Sequence, residues 1–196
     1  MRTAKNAGAK TLVLCDTNGA SLPKEISAIV KTVVKTFKRA KIGIHCHDDL
    51  GLAVANTIAA VDAGATHIQG TFLGFGERCG NCNLVTAILD LQLKKGYDIL
   101  PEDSIKKFTD TARRIAEITN VRLPKNTPYV GKAAFMHKGG MHGDGVMKYS
   151  PAFEHIDPSV VGNERSFPIS EVAGRAIFLK KAQDVLPGVP LDKEQS

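Results

Sequence analysis

No run of apolar residues in this sequence approaches the roughly 18 that a membrane-spanning helix needs, so no membrane partner is expected. Residues 1–10 are small and polar and lack the apolar core of a secretory signal, which points to a cytoplasmic protein. The formal charge is +6, but the lysines are scattered, apart from short groups such as Lys94-Lys95 and Lys106-Lys107. There is neither a basic stripe nor a recognisable nucleic-acid module, so no nucleic-acid partner is expected. The surplus charge reads as a solvated surface that also attracts an acidic substrate or a phosphorylated cofactor. Cysteine is sparse: Cys15, Cys46, Cys79 and Cys82. Cys79 and Cys82 form one Cys-x-x-Cys with no second pair, which excludes a zinc ribbon and leaves ordinary reduced thiols as the expectation.

What is present is a regular alternation. The 196 residues are 43% hydrophobic, the composition of a globular chain of one ordinary domain or slightly more. Residues 11–15 are a short apolar run of strand formers, punctuated by Asp16-Thr17-Asn18-Gly19. A helix then opens with Ser21 as N-cap and Glu25 in its first turn. Its apolar stripe is Ile26, Ile29, Val30, Val33, Val34 and Phe37. The unit repeats as a strand at 42–46, a turn at 48–51 and a helix at 52–63 closed by Gly64. A third unit follows: a strand at 66–72, a glycine-rich loop at 74–80 and a helix at 83–95 ended by Gly96. Three strand–helix units in succession predict a parallel sheet with helical crossovers. An open doubly wound sheet and a (β/α)8 barrel both satisfy that pattern. From Pro101 the character changes. Residues 103–119 read as one amphipathic helix with Ile105, Phe108, Ala112, Ile115 and Ile118 on one side. A stretch rich in Gly, Pro, Met and His runs from 121 to about 163, then a helix at 170–186 and a polar tail at 187–196.

Ile44-His45-Cys46-His47 carries the strongest chemical signal. Side chains two apart on a strand share a face, so His45 and His47 project together while Cys46 turns into the packing layer. Two adjacent imidazoles at the C-terminal end of a parallel strand suit a divalent ion, and they equally suit two hydrogen-bonded histidines. Further ligands would come from strand-end carboxylates, Asp16, Asp48 or Asp49, each of which reads as well as a turn or cap residue. In the loop at 74–81, Asn81 offers a neutral oxygen, while Glu77 and Arg78 read as ion-pair residues. His137 and His142 form a third cluster in the irregular segment, where either a mobile catalytic group or solvated histidines fit.

Five segments together resemble a known family: LCDTNGASLP (14–23), GIHCHDDLGLAVAN (43–56), GTFLGFGERCGNCNL (70–84), FMHKGGMH (135–142) and EHIDPSVVGNER (154–165). They are similar to the Claisen-condensing enzymes of the DRE-TIM metallolyase superfamily, the isopropylmalate, homocitrate and citramalate synthases, with the citramalate branch nearest. The resemblance covers nearly the whole chain. It implies an α/β fold: the last three strands of a TIM barrel over residues 1–98, a mostly helical linker subdomain over 99–186 and a flexible tail. It implies that His45 and His47 bind a catalytic divalent metal (Mg, Mn or Zn) with Asn81 at or near it, that Thr17 and Thr71 line the 2-oxoacid pocket, and that His142 is the base or its relay. The implied reaction joins acetyl-CoA to a 2-oxoacid, pyruvate giving citramalate, within branched-chain amino-acid synthesis and in a homodimer. The chain departs from the family pattern in three ways. The family's metal-binding aspartate belongs to the first barrel strand, and about five strand–helix units precede the part matched here. Phe153 stands where a tyrosine is expected. The chain stops before any regulatory domain. The expectation is a partial chain, inactive alone. A non-catalytic half-barrel that pairs with another chain through its sheet edge, and a lyase of the same superfamily, are the competing readings.

Overall fold

Three strands, β1 (Thr11–Asp16), β2 (Lys41–Cys46) and β3 (His67–Gln69), lie parallel in the order β1-β2-β3. This is the geometry of a computed structural model that describes residues 1–168 and Val185. The helices of this first unit are α1 (Arg2–Asn6), α2 (Pro23–Thr36), α3 (Ala53–Asp62) and α4 (Leu84–Leu89). A π-helical turn, Asp90–Lys94, continues α4. The chain forms two compact units, Met1–Leu100 and Pro101–Ser196. The expected helix at 170–186, Val185 apart, and the tail at 187–196 lie outside the described residues.

The two faces of β2 differ. Ile42, Ile44 and Cys46 are buried, and Ile44 and Cys46 pack with Ile26 and Val30 of α2 and with Ala53 and Ala60 of α3. Full burial of a valine or isoleucine is worth roughly 1.5–3 kcal/mol, so this helix-covered layer anchors the unit. On the other face the register aligns Val13 with Gly43 and His67, and Cys15 with His45 and Gln69. Gly43 has no room for a side chain: a Cβ there would meet the His67 ring at 2.8 Å and Val13 at 3.1 Å. Cys15, His67 and Gln69 are exposed on this face and His45 is half-buried.

Helix starts follow local chemistry. α2 begins later than expected: Leu22 is its N-cap, Pro23 occupies the first turn, and the Glu25 carboxylate accepts from the Leu22 N–H at 2.7 Å. Ser21 is not the cap, because its hydroxyl donates to Asp16 Oδ1 at 3.0 Å. Of the expected stripe, Ile26 and Val30 are buried, whereas Ile29 is 49% exposed. α3 buries Ala53, Asn56, Thr57 and Ala60, a spacing of three, four and seven. Asn83 caps α4, its side chain accepting from Val85 N–H at 3.0 Å.

Two expected elements are corrected. β3 is three residues long rather than spanning 66–72. Gly70 passes so close under the Cys82 carbonyl that a Cβ would lie 2.3 Å from it, and Phe72–Gly74 turns as a 3-10 helix with Leu73 at φ 67°. The helix expected at 103–119 is two, α5 (Glu102–Ile105) and α6 (Phe108–Ile118). The Lys106 carbonyl is directed at Gly162, where a Cβ would meet it at 2.1 Å, and the helical ladder breaks there. The buried stripe runs through Ile105, Phe108, Thr109, Ala112 and Ala116, leaving Ile118 74% exposed. Within the irregular segment stands α7 (Gly140–Lys148), followed by single 3-10 turns at Ser150–Ala152 and Pro158–Val161. No described helix is long and apolar enough to cross a membrane.

Candidate active site

The C-terminal ends of β1 and β2 place the histidines. The His45 and His47 rings lie edge to face with centroids 5.1 Å apart, as the two-residue strand period requires. His47 is fixed from behind: its backbone N–H donates to the Asp16 carbonyl at 3.3 Å, and its Nδ1 lies 3.3 Å from the same oxygen. A hydrogen bond from Nδ1 leaves Nε2 as the ring's free lone pair, the arrangement that suits a metal-binding imidazole.

The glycine-rich loop brings Asn81 to this pair. His47 and Asn81 face each other across an isolated antiparallel bridge, and residues so opposed have neighbouring side chains. The Asp48 N–H donates to the Gly80 carbonyl at 2.9 Å beside it. Gly80, at φ 102°, packs onto the Gly74 carbonyl where a Cβ would come within 2.1 Å, so this tight fold-back admits only glycine. Asn81 donates from Nδ2 to the Phe75 carbonyl at 2.9 Å, which orients the amide. Its Oδ1 is buried and has no hydrogen-bond partner. Thr71 joins the same point, donating from its hydroxyl to the Phe75 carbonyl. Thr17 is exposed in the turn after β1, and its carbonyl accepts from Arg78 Nη2 at 2.8 Å.

The strand-end acids are committed elsewhere. Asp16 accepts from the Ser21 hydroxyl, and Asp48 Oδ1 accepts from Ala53 N–H at 2.8 Å as α3 begins. Asp49 holds Arg78 at 2.7 and 3.0 Å, and that guanidinium keeps its carboxyl below the usual carboxylate range. No group of three His, Cys, Asp or Glu converges among the described residues. The donor set therefore amounts to two imidazoles and one orphaned amide oxygen. An unmatched buried oxygen costs about 1–3 kcal/mol, and a cation beside it removes that cost, so these residues fit part of a divalent site. The cysteines do not add to it. Burial pushes the Cys46 thiol up to about 12 and that of Cys82 up to about 11. Cys82 is buried while Cys79 is exposed, and both are free.

His142 lies in the second unit, exposed in the first turn of α7, its ring 5.0 Å from that of Phe153. The same unit contains a cluster that residue types alone did not single out. Glu154, its side chain 3% exposed, meets His137 Nε2 at 2.9 Å and Arg165 Nε at 2.8 Å. All three fall within the segments 135–142 and 154–165; their convergence has no signal in spacing.

Comparison with known proteins gives the following. Residues 1–120 match the family described as HMGL-like, and residues 129–196 match the homocitrate synthase post-HMGL domain-like family. The chain is 47% identical over 192 residues to the (R)-citramalate synthase of Aquifex aeolicus, covering 98% of this chain and 36% of that protein. It is 38% identical over 186 residues to the 2-isopropylmalate synthase of Staphylococcus epidermidis, covering 92% of this chain and 36% of that one. The chain thus spans about a third of the length of these relatives. Among solved structures it is similar to the HMG-CoA lyase of Bacillus subtilis, with a TM-score of 0.56 and 25% identity over 66% of this chain and 44% of that one. Of the two architectures that three parallel β/α units allow, the fold is that of the TIM barrel.

Proposed function

We propose, from the premise that this chain belongs to the HMGL-like family, that it supplies three strands and the metal-binding imidazoles of a synthase condensing acetyl-CoA with a 2-oxoacid, pyruvate in the first place. One observation carries this reading: His45 and His47 stand side by side, bridged to an asparagine whose buried Oδ1 has no partner. The 47% identity to a citramalate synthase supports pyruvate as the oxoacid. Because the chain spans about a third of its relatives, the reaction is proposed for a whole barrel. Residues 1–98 give that barrel its last three strands, and the described residues from 99 onward belong to the linker that follows it. The reading carries with it a cytoplasmic homodimer and a product that feeds isoleucine synthesis.

In this reading His45 and His47 ligate through ring nitrogens and Asn81 through Oδ1. A divalent ion held there (Mg, Mn or Zn) supplies Lewis acidity to the 2-oxoacid carbonyl. The Thr17 hydroxyl donates to the substrate carboxylate, and Thr71 does the same on releasing the Phe75 carbonyl. His142 takes or relays a methyl proton from acetyl-CoA. The resulting carbanion bonds to the keto carbon, whose oxygen gains a proton, and water then splits the thioester to release CoA.

The test is a chimaera in which this chain replaces the matching third of the Aquifex aeolicus citramalate synthase. Thiol release from acetyl-CoA should depend on pyruvate and on a divalent ion, and fall at least about a hundredfold in His47→Ala. A folded chimaera without turnover overturns the reading. Turnover with a branched 2-oxoacid instead of pyruvate favours the isopropylmalate reaction.

A further inference from the structure

Glu154 is the one buried charged side chain among the described residues of the second unit. A buried carboxylate is costly unless it is fully paired, and Glu154 is paired on both oxygens. Oε1 takes His137 Nε2 at 2.9 Å and Arg165 Nε at 2.8 Å, while Oε2 takes Arg165 Nη2 at 2.5 Å. The Arg165 contact is the two-point fork that fixes direction as well as distance. Burial alone would raise the Glu154 pKa, but the bonds from Arg165 and His137 outweigh it and hold the group below the usual range, so it stays ionised near neutrality.

What these three residues join is informative. His137 precedes α7 and Glu154 follows it, so residues 138–153 leave from one side of the carboxylate and return to the other. Backbone rungs reinforce the base: His137 N–H donates to the Ser166 carbonyl at 3.0 Å, and Ser166 N–H donates to the Phe135 carbonyl at 3.0 Å. Inside this excursion the only described buried apolar contact is Val146 on Phe167. Several of the arm's larger side chains face outward, with Met141 83% and Tyr149 66% exposed. Among the described residues this apolar footing is small, so the polar clasp at the base carries much of the arm's order. His142 rides on this arm. Its ring contacts Phe153, the residue next to Glu154, and Phe153 is seated against Gly145, where a Cβ would lie 2.4 Å from the ring.

We infer that Glu154, clasped by His137 and Arg165, is a positioning residue: it closes the base of the 138–153 arm and thereby sets the His142 ring against Phe153. The catalytic importance of that ring rests on the function proposed above; the clasp itself does not. Glu154 touches no reacting atom in this assignment. It acts by fixing where the arm starts and ends, with Phe153 as the relay.

The test uses the whole 196-residue chain and no turnover, so its failure is distinguishable from failure of the condensation reading. Proton NMR would follow the nuclear Overhauser contacts between the His142 and Phe153 rings. Hydrogen exchange would follow the amides of Gly143 and Tyr149, which close α7 onto Gly139 and Gly145. Glu154→Gln removes the charge, and Arg165→Lys keeps the charge but removes the fork. Both should lose the ring contacts and raise exchange of those two amides at least about tenfold. The amides of α6 should be unchanged. Lys132→Ala, at an exposed side chain, should leave all of these readouts as they are. Ring contacts and slow exchange that persist in both variants overturn the clasp. Loss of the entire second unit's fold in both variants overturns it as well, since Glu154 would then be a general stabiliser rather than the base of one arm.

Discussion

Asn81 is the residue on which the metal-centre reading turns, and its two side-chain atoms make separate predictions. Nδ2 is committed to the Phe75 carbonyl, whereas Oδ1 is buried without a partner. Asn81→Asp exchanges the donor for a second acceptor, so without metal a carboxylate oxygen confronts the Phe75 carbonyl and stability falls by about 1–3 kcal/mol. The same change puts an anionic oxygen beside two imidazoles, and hard divalent ions prefer it. The variant should therefore be less stable than wild type without metal and gain more stability on adding Mn or Mg, a difference that follows from ligand binding to the folded state alone. Thermal melts with and without each ion measure it; equal metal-induced shifts in both proteins would take Asn81 out of the site. His47→Ala should abolish the metal-induced shift entirely. Isothermal titration of the two proteins against Mn provides the check.

At the scale of elements, Asp48 separates a cap from a ligand. Its Oδ1 holds the Ala53 N–H where α3 starts. Asp48→Ala should cost about 1 kcal/mol, the usual worth of such a side-chain cap, read from urea titration. Divalent affinity should change little; a loss beyond tenfold would return Asp48 to the ligand set. This ambiguity marks the limit of what spacing conveys. The paired histidines are legible in sequence because a strand's period of two holds whatever surrounds it. β1 is legible as a short apolar run ahead of turn residues, and β2 as the alternation of Ile42, Ile44 and Cys46 ahead of Asp48 and Asp49. The approach of Asn81 to His47 depends on Gly80 folding against the Gly74 carbonyl, a contact between backbone atoms that no side-chain pattern encodes. The early end of β3 and the break between α5 and α6 have similar causes. In each, a glycine, Gly70 or Gly162, lies so close to a distant carbonyl that local helix or strand propensity is overridden. The Glu154 cluster is hidden for another reason: its members are up to 28 positions apart, as His137 and Arg165 are, and only folding brings them together.

At the scale of the whole chain, the same carboxylate links fold to pH. In the folded second unit the bonds from Arg165 and His137 outweigh the effect of burial and hold Glu154 below its ordinary value of 4.5. In the unfolded chain that value returns, so below about 4.5 the unfolded state binds a proton that the folded state does not. By linkage, Glu154's contribution to stability is complete above that pH and declines as pH falls through the folded-state value. The limit for one such group is about 1.4 kcal/mol per pH unit. Asp49 has a lowered pKa in the first unit, held by Arg78, but Arg78 is exposed and the pair is screened by solvent. The two units should therefore respond unequally to acid. On titration from pH 6 to pH 3, the Gly143 and Tyr149 amides of the 138–153 arm should lose protection against exchange before those of α6 and of residues 1–100, and Glu154→Gln should flatten that acid dependence while lowering the arm's protection at pH 7. Residue-resolved hydrogen exchange across this range is the measurement. A loss in the arm no earlier than in α6 and residues 1–100, or an unchanged slope in Glu154→Gln, would assign the arm's acid sensitivity to some other group.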